Sequence, residues 1–265
     1  MNKEIFFNKK SIFFTIAIGI FLGFYFSPYM NITNAEKDII SIIIFSYGHL
    51  EISGINNVLP VLIWIFPQVF LMHKLGGYIS DYISLFSVYI FTRTNNRVAW
   101  VLKLFGDLLL KVSIYYSLQF IGVFIVILIN RVDMINFTIV KDIILVYLLV
   151  VLSGYFLVVL TNVLSTLLKS NYSYIIILFL YVLSIFSAGV IYNHFPDKLY
   201  FIKYIPFFQS LITWHDSGTF LLKYTNLLNL SIEGFTIIYS LIYLIVCSVL
   251  VITYFSIRIK RLDIY

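Results

Sequence analysis

Long apolar runs separated by short polar clusters organise this chain. The runs are continuous, and several exceed the ~18 residues a helix needs to cross a bilayer. They lack the alternation, in segments of about ten residues, that marks a membrane β-barrel. The pattern predicts an all-α integral membrane protein, a single transmembrane domain over residues 1–265 with six spans. These fall at about residues 11–29, 58–75, 104–130, 143–168, 172–192 and 234–257.

The stretch between the second and third spans has a different pattern. It opens on Gly76-Gly77 and continues as a short, aromatic-rich amphipathic segment, predicted as a helix over Asp81 to Phe91. A polar turn bearing Arg93 and Arg97 follows, with Lys74 before the segment and Lys103 after it. Asn95 or Asn96 is suited to cap the next helix, because a short amide side chain accepts from an orphan backbone N–H.

Two other connections are longer than turns. Residues 31–57 include an apolar piece, Ile39 to Phe45, too short to span. Residues 193–233 are rich in aromatics, including Phe195, Tyr200, Phe201, Tyr204, Phe207, Phe208, Trp214 and Phe220, and are broken by Pro196 and Pro206. Short interfacial or re-entrant helices packed on the span ends are expected there.

Composition supports the membrane reading. The chain is 61% hydrophobic, 19% aromatic and 11% charged, against about 25% charged in soluble domains. Its net charge of +6 is scattered among the spans, which suits orientation in a membrane and not a nucleic-acid surface. With both termini inside, the inner segments hold Lys3, Lys9, Lys10, Lys74, Arg93, Arg97, Lys103, Lys111, Lys169, Arg258, Lys260 and Arg261, while the outer segments are slightly acidic. This asymmetry predicts cytoplasmic termini. Lys3, Lys9 and Lys10 before an apolar run imitate a signal peptide, but no small-residue cleavage site follows, so an uncleaved first span is expected. Cys247 is the only cysteine, so no intrachain disulfide forms.

Candidate chemistry is sparse. The chain has no G-x-x-x-x-G-K-[ST] phosphate loop and no H-E-x-x-H zinc motif. No pair of acidic residues lies deep in the spans, so no catalytic residue is expected on this chain. His194 with Asp197, and His215 beside Asp216, match no metal-ligand spacing, and no metal site is expected. Asp107 and Lys111 stand four apart and suit a pair across one helical turn. Gly19 and Gly23 also stand four apart, a spacing that lets helices approach closely, and are expected at a subunit interface. Mild polar groups in the spans, among them Ser117, Gln119 and Asn162, suit a path for an amphipathic or lipid-like substrate.

Two spans, a short amphipathic helix and then Phe91-Thr92-Arg93-Thr94-Asn95-Asn96-Arg97 with Lys103 beyond: this arrangement resembles the membrane subunits of type-2 ABC transporters, chiefly exporters. Thr94 stands where that family commonly has proline, and Asn96 where serine is common. The resemblance is nearest to permeases of bacterial peptide export and antimicrobial-peptide immunity. It implies a coupling helix that docks on a separate ATPase, with Tyr82, Phe86, Tyr89, Phe91, Arg93 and Arg97 at the contact. It also implies two ATPase subunits carrying ATP and Mg, a second copy or related permease chain, and a bacterial plasma-membrane location among lipid. The substrate implied is amphipathic, a peptide first. The alternative is an ATP-independent scaffold or immunity protein that sequesters a peptide.

Overall fold

The computed structural model describes residues 8–27, 39–52, 58–93, 96–130, 137–216 and 230–260, with the backbone alone over 86–93 and 137–139 and at 260. All regular structure among the described residues is helical. The helices are α1 (Lys9–Phe26), α2 (Ile39–Tyr47), α3 (Val58–Leu75), α4 (Tyr78–Arg93), α5 (Arg97–Ile129), α6 (Phe137–Ser165), α7 (Ser170–His194) and α8 (Ile237–Lys260). Three 3-10 turns, Pro196–Tyr204, Pro206–Phe208 and Ile212–Trp214, lie between α7 and α8.

Six helices are long and apolar enough to cross a membrane: α1, α3 running on into α4, α5, α6, α7 and α8. The predicted second span coincides with α3, and the apolar stretch it opens runs on through α4 to Leu85. The third begins earlier, at Arg97, because Asn96 starts it: its side-chain oxygen accepts from the Ala99 N–H at 3.1 Å. The fourth ends at Ser165, where Ser165 and Thr166 turn their hydroxyls onto the Asn162 and Val163 carbonyls and compete with the helical ladder.

The most enclosed of the six is α6, 61% of whose span is buried, against 17% for α8. Around α6 pack α8, α7, α5 and α3, with α2 also against it. All nine residues of α2 are buried, so this predicted short apolar piece is enclosed by helices and not laid on a surface.

α1 lies along α5, and glycine permits the approach. A Cβ at Gly19 would overlap the Gln119 carbonyl, and one at Gly122 would overlap the Ile16 carbonyl. At Gly23 an added Cβ would meet the Val126 side chain at 3.0 Å. The expectation that Gly19 and Gly23 form a subunit interface is therefore corrected. Their faces are filled within the chain, because glycine on both helices lets the backbones touch.

The end of the bundle where α7 stops and α8 starts carries a cap. The Trp214 indole donates to Leu50 O at 2.7 Å, and Thr213 N to Gly48 O at 3.1 Å. Ile232 N donates to Trp214 O at 3.2 Å, and Asp216 N to Phe235 O at 2.8 Å. The Trp64 indole, on α3, donates to Tyr47 O at 3.1 Å. The described part of the aromatic connection, up to Asp216, is thus a set of 3-10 turns knitted to the segment after α2, and Phe220 lies outside the described residues. Pro196 and Pro206 open two of these turns, where a missing N–H costs nothing.

Candidate functional site

The stretch singled out by its pattern forms a corner at the opposite end of the bundle from the cap. α3 ends at Leu75, two glycines turn the chain, and α4 starts at Tyr78. Gly76 is obligatory for space: a Cβ there would come within 2.5 Å of Met72 O and 2.7 Å of the Thr161 methyl on α6. At Gly77 it would lie 3.1 Å from the Ser170 hydroxyl at the start of α7.

Asn162 of α6 holds this corner. Its side-chain oxygen accepts from Ile79 N at 2.8 Å, and its amide nitrogen donates to Leu75 O at 2.6 Å and to Val158 O at 2.8 Å. Leu75 O and Ile79 N are backbone groups at a helix end and a helix start, where intrahelical partners run out. One buried amide therefore satisfies the C-terminus of α3 and the N-terminus of α4 together. Asn162 and Ile79 are both fully buried.

A second tie is more exposed. The Tyr78 hydroxyl donates to Asp107 Oδ2 at 2.7 Å, and Lys111 Nζ donates to the same oxygen at 2.9 Å. Lys111 Nζ also lies 3.5 Å above the centre of the Tyr78 ring. The Asp107–Lys111 pair expected from the four-residue spacing is present, and Tyr78 extends it to α4. Tyr82 then turns its ring toward Trp100 of α5, 5.7 Å between centres, and toward Tyr78 at 6.2 Å.

These contacts sort the faces of α4. Ile79, Tyr82 and Ile83 face the bundle, whereas Asp81, Ser84 and Leu85 face away, Leu85 being 74% exposed. Tyr82, expected at a partner contact, is a packing residue between α4 and α5. Arg97 is half-buried in the first turn of α5. The side chains of Phe86, Tyr89, Phe91 and Arg93 lie outside the described residues; their backbone is helical. The outward start of the face, Leu85, escaped the sequence reading, because only the anchored inner face tells which side of α4 is free.

The three residues expected on a substrate path do not converge. Ser117 shares a hydrogen bond with the Tyr147 hydroxyl at 2.8 Å, behind an apolar groove of about 380 Å³ lined by Leu109, Ser113, Tyr147 and Leu241. Gln119 is buried against α1, and Asn162 is committed to the corner. Neither Gln119 nor Asn162 is open to a passing substrate in this conformation.

Two histidines lie in the cap, His215 buried and His49 half-buried. His215 Nδ1 faces Leu211 O at 2.8 Å, and Nε2 faces the Ser240 hydroxyl of α8 at 2.7 Å. A carbonyl only accepts, so Nδ1 carries the proton and neutral Nε2 accepts from Ser240. Phe235 stacks on the ring at 4.0 Å. Burial lowers the His215 pKa to about 4, against the opposing effect of its backbone hydrogen bonds. Burial likewise lowers that of His49 to about 4, partly offset by the charge of Glu51. Among the described residues, no cluster of three or more His, Cys, Asp or Glu side chains is placed to hold a metal ion.

A family model described as Protein of unknown function (DUF2705) matches residues 43–265. No curated protein and no solved structure matches the chain.

Proposed function

The chain belongs to the DUF2705 family, and from that premise we propose that it is the transmembrane subunit of an ATP-driven exporter whose ATPase is a separate chain. One observation carries this reading: α4 leaves the bundle at a corner anchored to α6 through Asn162 and to α5 through Asp107. A helix held this way works as a lever. A push on its outward face reaches α6, the most enclosed helix, through short hydrogen bonds and not through a slack loop.

The basic residues Arg93 at the far end of α4 and Arg97 and Lys103 in the first turns of α5 suit the cytoplasmic side, as do the lysines at the starts of α1 and α7. Six spans then leave both termini inside, in a bacterial plasma membrane. No phosphate loop occurs in the sequence, so ATP and Mg belong to the partner. Closure of two ATPases on ATP would draw the α4 helices of two membrane subunits together. That movement would shift the balance between inward-open and outward-open or occluded bundles. The apolar, tyrosine-rich interior suits an amphipathic substrate, a peptide first.

The test is affinity purification of the full chain from its native membrane after gentle cross-linking. Mass spectrometry should identify a partner chain that carries a phosphate loop, in equal amount. Recovery of the chain with a bound peptide and no ATPase favours the ATP-independent scaffold or immunity protein instead.

A further inference from the structure

The Pro196–Tyr204 turn has two unlike faces. Ile202 is fully buried in the core at the cap end, and Leu199 packs against that core. On the other face Tyr200, Phe201 and Tyr204 are each 47–51% exposed, as is Phe195 just before the turn. Backbone ties hold these rings out. Gln209 Nε2 donates to Lys203 O at 2.7 Å and to Ile205 O at 3.1 Å, and the Tyr243 hydroxyl of α8 donates to Tyr204 O. Phe208 and Trp214, farther along the same connection, are buried, so the cap encloses some rings and displays others.

The turn lies at the depth of a membrane surface. The 25 residues of α7 extend about 37 Å, against a hydrocarbon core of about 30 Å. Phe195 caps α7, so the turn begins where the chain leaves that core. The chain then dips back. Tyr204 meets Tyr243 in the second turn of α8, and the Phe207 ring lies 5.3 Å from that of Tyr181, near the middle of α7. The exposed stripe of α7, marked by Phe179, Leu183, Phe186 and Val190, ends just before this turn.

Lys203 has the posture that such a depth requires. Its Nζ lies 3.6 Å from where a Cβ on Gly234 would stand, in the segment that leads into α8. The side chain thus climbs to the end of the bundle, as lysine does when its stem lies along apolar surface and its charge seeks a polar layer. Lys198 is exposed, with Nζ 5.3 Å from the centre of the Phe195 ring.

We propose that residues 195–204 are a phospholipid-binding platform, with the rings of Phe195, Tyr200, Phe201 and Tyr204 in the headgroup layer and the Lys198 and Lys203 ammonium groups on lipid phosphate. Aromatic side chains favour this layer, and lysine beside it is drawn to anionic lipid. A second protein is the poorer occupant. The platform continues the outward side of α7, and its two cations would be desolvated under a dry protein contact. The platform sets how deep the cap sits. It rests on the six long helices crossing a membrane, not on an ATPase.

A fluorophore on Phe201→Cys, in a Cys247→Ser chain in phosphatidylglycerol nanodiscs, reports the depth. Tyr200→Cys gives a second position, and Phe179→Cys is the mid-span reference. Lipid with a nitroxide near its headgroup should quench the label at 201 and at 200 about two-fold or more above lipid with a nitroxide near its chain end, and the order should reverse at 179. Quenching at 201 by aqueous iodide and not by lipid puts the turn in water, and protection from both puts it under protein. Either result overturns the proposal while lipid quenching at 179 persists. Loss of lipid quenching at 179 too would remove the span itself, and the platform with it. Lys198→Gln with Lys203→Gln should retain fewer phosphatidylglycerol molecules per chain in native mass spectrometry at an unchanged thermal midpoint. An unchanged lipid count overturns the phosphate contact.

Discussion

The Asn162 side-chain oxygen accepts from Ile79 N at 2.8 Å while its nitrogen donates to Leu75 O at 2.6 Å, so one amide closes the junction between two helices. Asn162→Leu fills similar volume and leaves both backbone groups unpaired and buried. Each such group costs about 1–3 kcal/mol, so a loss of roughly 2–6 kcal/mol is expected. Asn162→Asp keeps the acceptor and removes the donor, and should fall between wild type and Asn162→Leu unless its charge is retained. Thermal unfolding in detergent checks the order. An Asn162→Leu midpoint equal to wild type would show that the corner is held by packing alone.

The Asp107–Lys111 pair should behave differently. Asp107 is 48% exposed, so solvent screens its interactions. Exposed pairs contribute about 0–1 kcal/mol, and Asp107→Asn should scarcely move the midpoint. It should instead loosen the first turn of α4, because Tyr78 loses a charged acceptor. Faster amide hydrogen exchange over residues 78–82, at unchanged global stability, is the expected signature.

The α1–α5 crossing ranks three glycine substitutions. Gly19→Ala and Gly122→Ala would press a methyl onto backbone carbonyls, which cannot move without shifting a helix. Overpacking of this sort costs about 1–3 kcal/mol. Gly23→Ala meets only the Val126 side chain and should cost less. Unfolding midpoints measure the ranking, and native mass spectrometry measures the oligomer. Because these faces are filled inside the chain, stability should fall while the subunit count stays the same. A variant that keeps its stability but dissociates would restore an interface role for the glycines.

Acid should weaken the cap. The folded-state pKa of His215 and of His49 is about 4, below the ordinary value of 6.5, because burial disfavours the charged ring. Above pH 6.5 both states are neutral and stability is flat. As pH falls from 6.5 toward 4, the unfolded chain takes up protons that the folded chain refuses, and stability falls. The loss is complete below the folded pKa and amounts to at most about 3 kcal/mol per histidine. A plot of unfolding midpoint against pH should decline over this window, and His215→Gln should flatten part of the decline. A profile as steep in the variant as in wild type would remove His215 from this account.

What was legible in the chain was what short-range rules govern. Bilayer thickness sets the length of an apolar run, so the spans read directly, and the second matches Val58–Leu75. The Asn96 cap and the Asp107–Lys111 pair lie within four residues of their partners, and helix geometry alone predicts both. Asn162 could not be placed from the sequence for the complementary reason. Its partners are 83 and 87 residues away in sequence, and a lone amide in an apolar run looks the same whether it lines a path or clamps a backbone. Gly19 repeats the lesson: spacing marks it as a contact point, but only the placement of Gln119 tells which helix it contacts.

The exporter reading makes its sharpest claim on the outward face of α4. Leu85 is 74% exposed and lies beyond the anchored first turn, where an ATPase groove would cover it. Leu85→Glu places a charge in that groove without touching the Asn162 or Asp107 ties, so the bundle should unfold at the wild-type midpoint. Association with the ATPase should weaken by ten-fold or more, since a buried unpaired charge is costly. Arg93→Lys retains the charge that orients the membrane spans but loses the planar pair of donors that engages a carboxylate or phosphate. A docking role therefore predicts weaker association, while a purely topological role predicts no change. Tyr89→Ala and Phe91→Ala complete the set, and should uncouple ATP hydrolysis from export if their rings enter the groove. Pull-down of the ATPase with the tagged chain measures association, and substrate-stimulated hydrolysis in proteoliposomes measures coupling. If all four variants insert, assemble and export as wild type does, α4 is not the coupling helix, and the resemblance to ABC permeases loses the residues that support it.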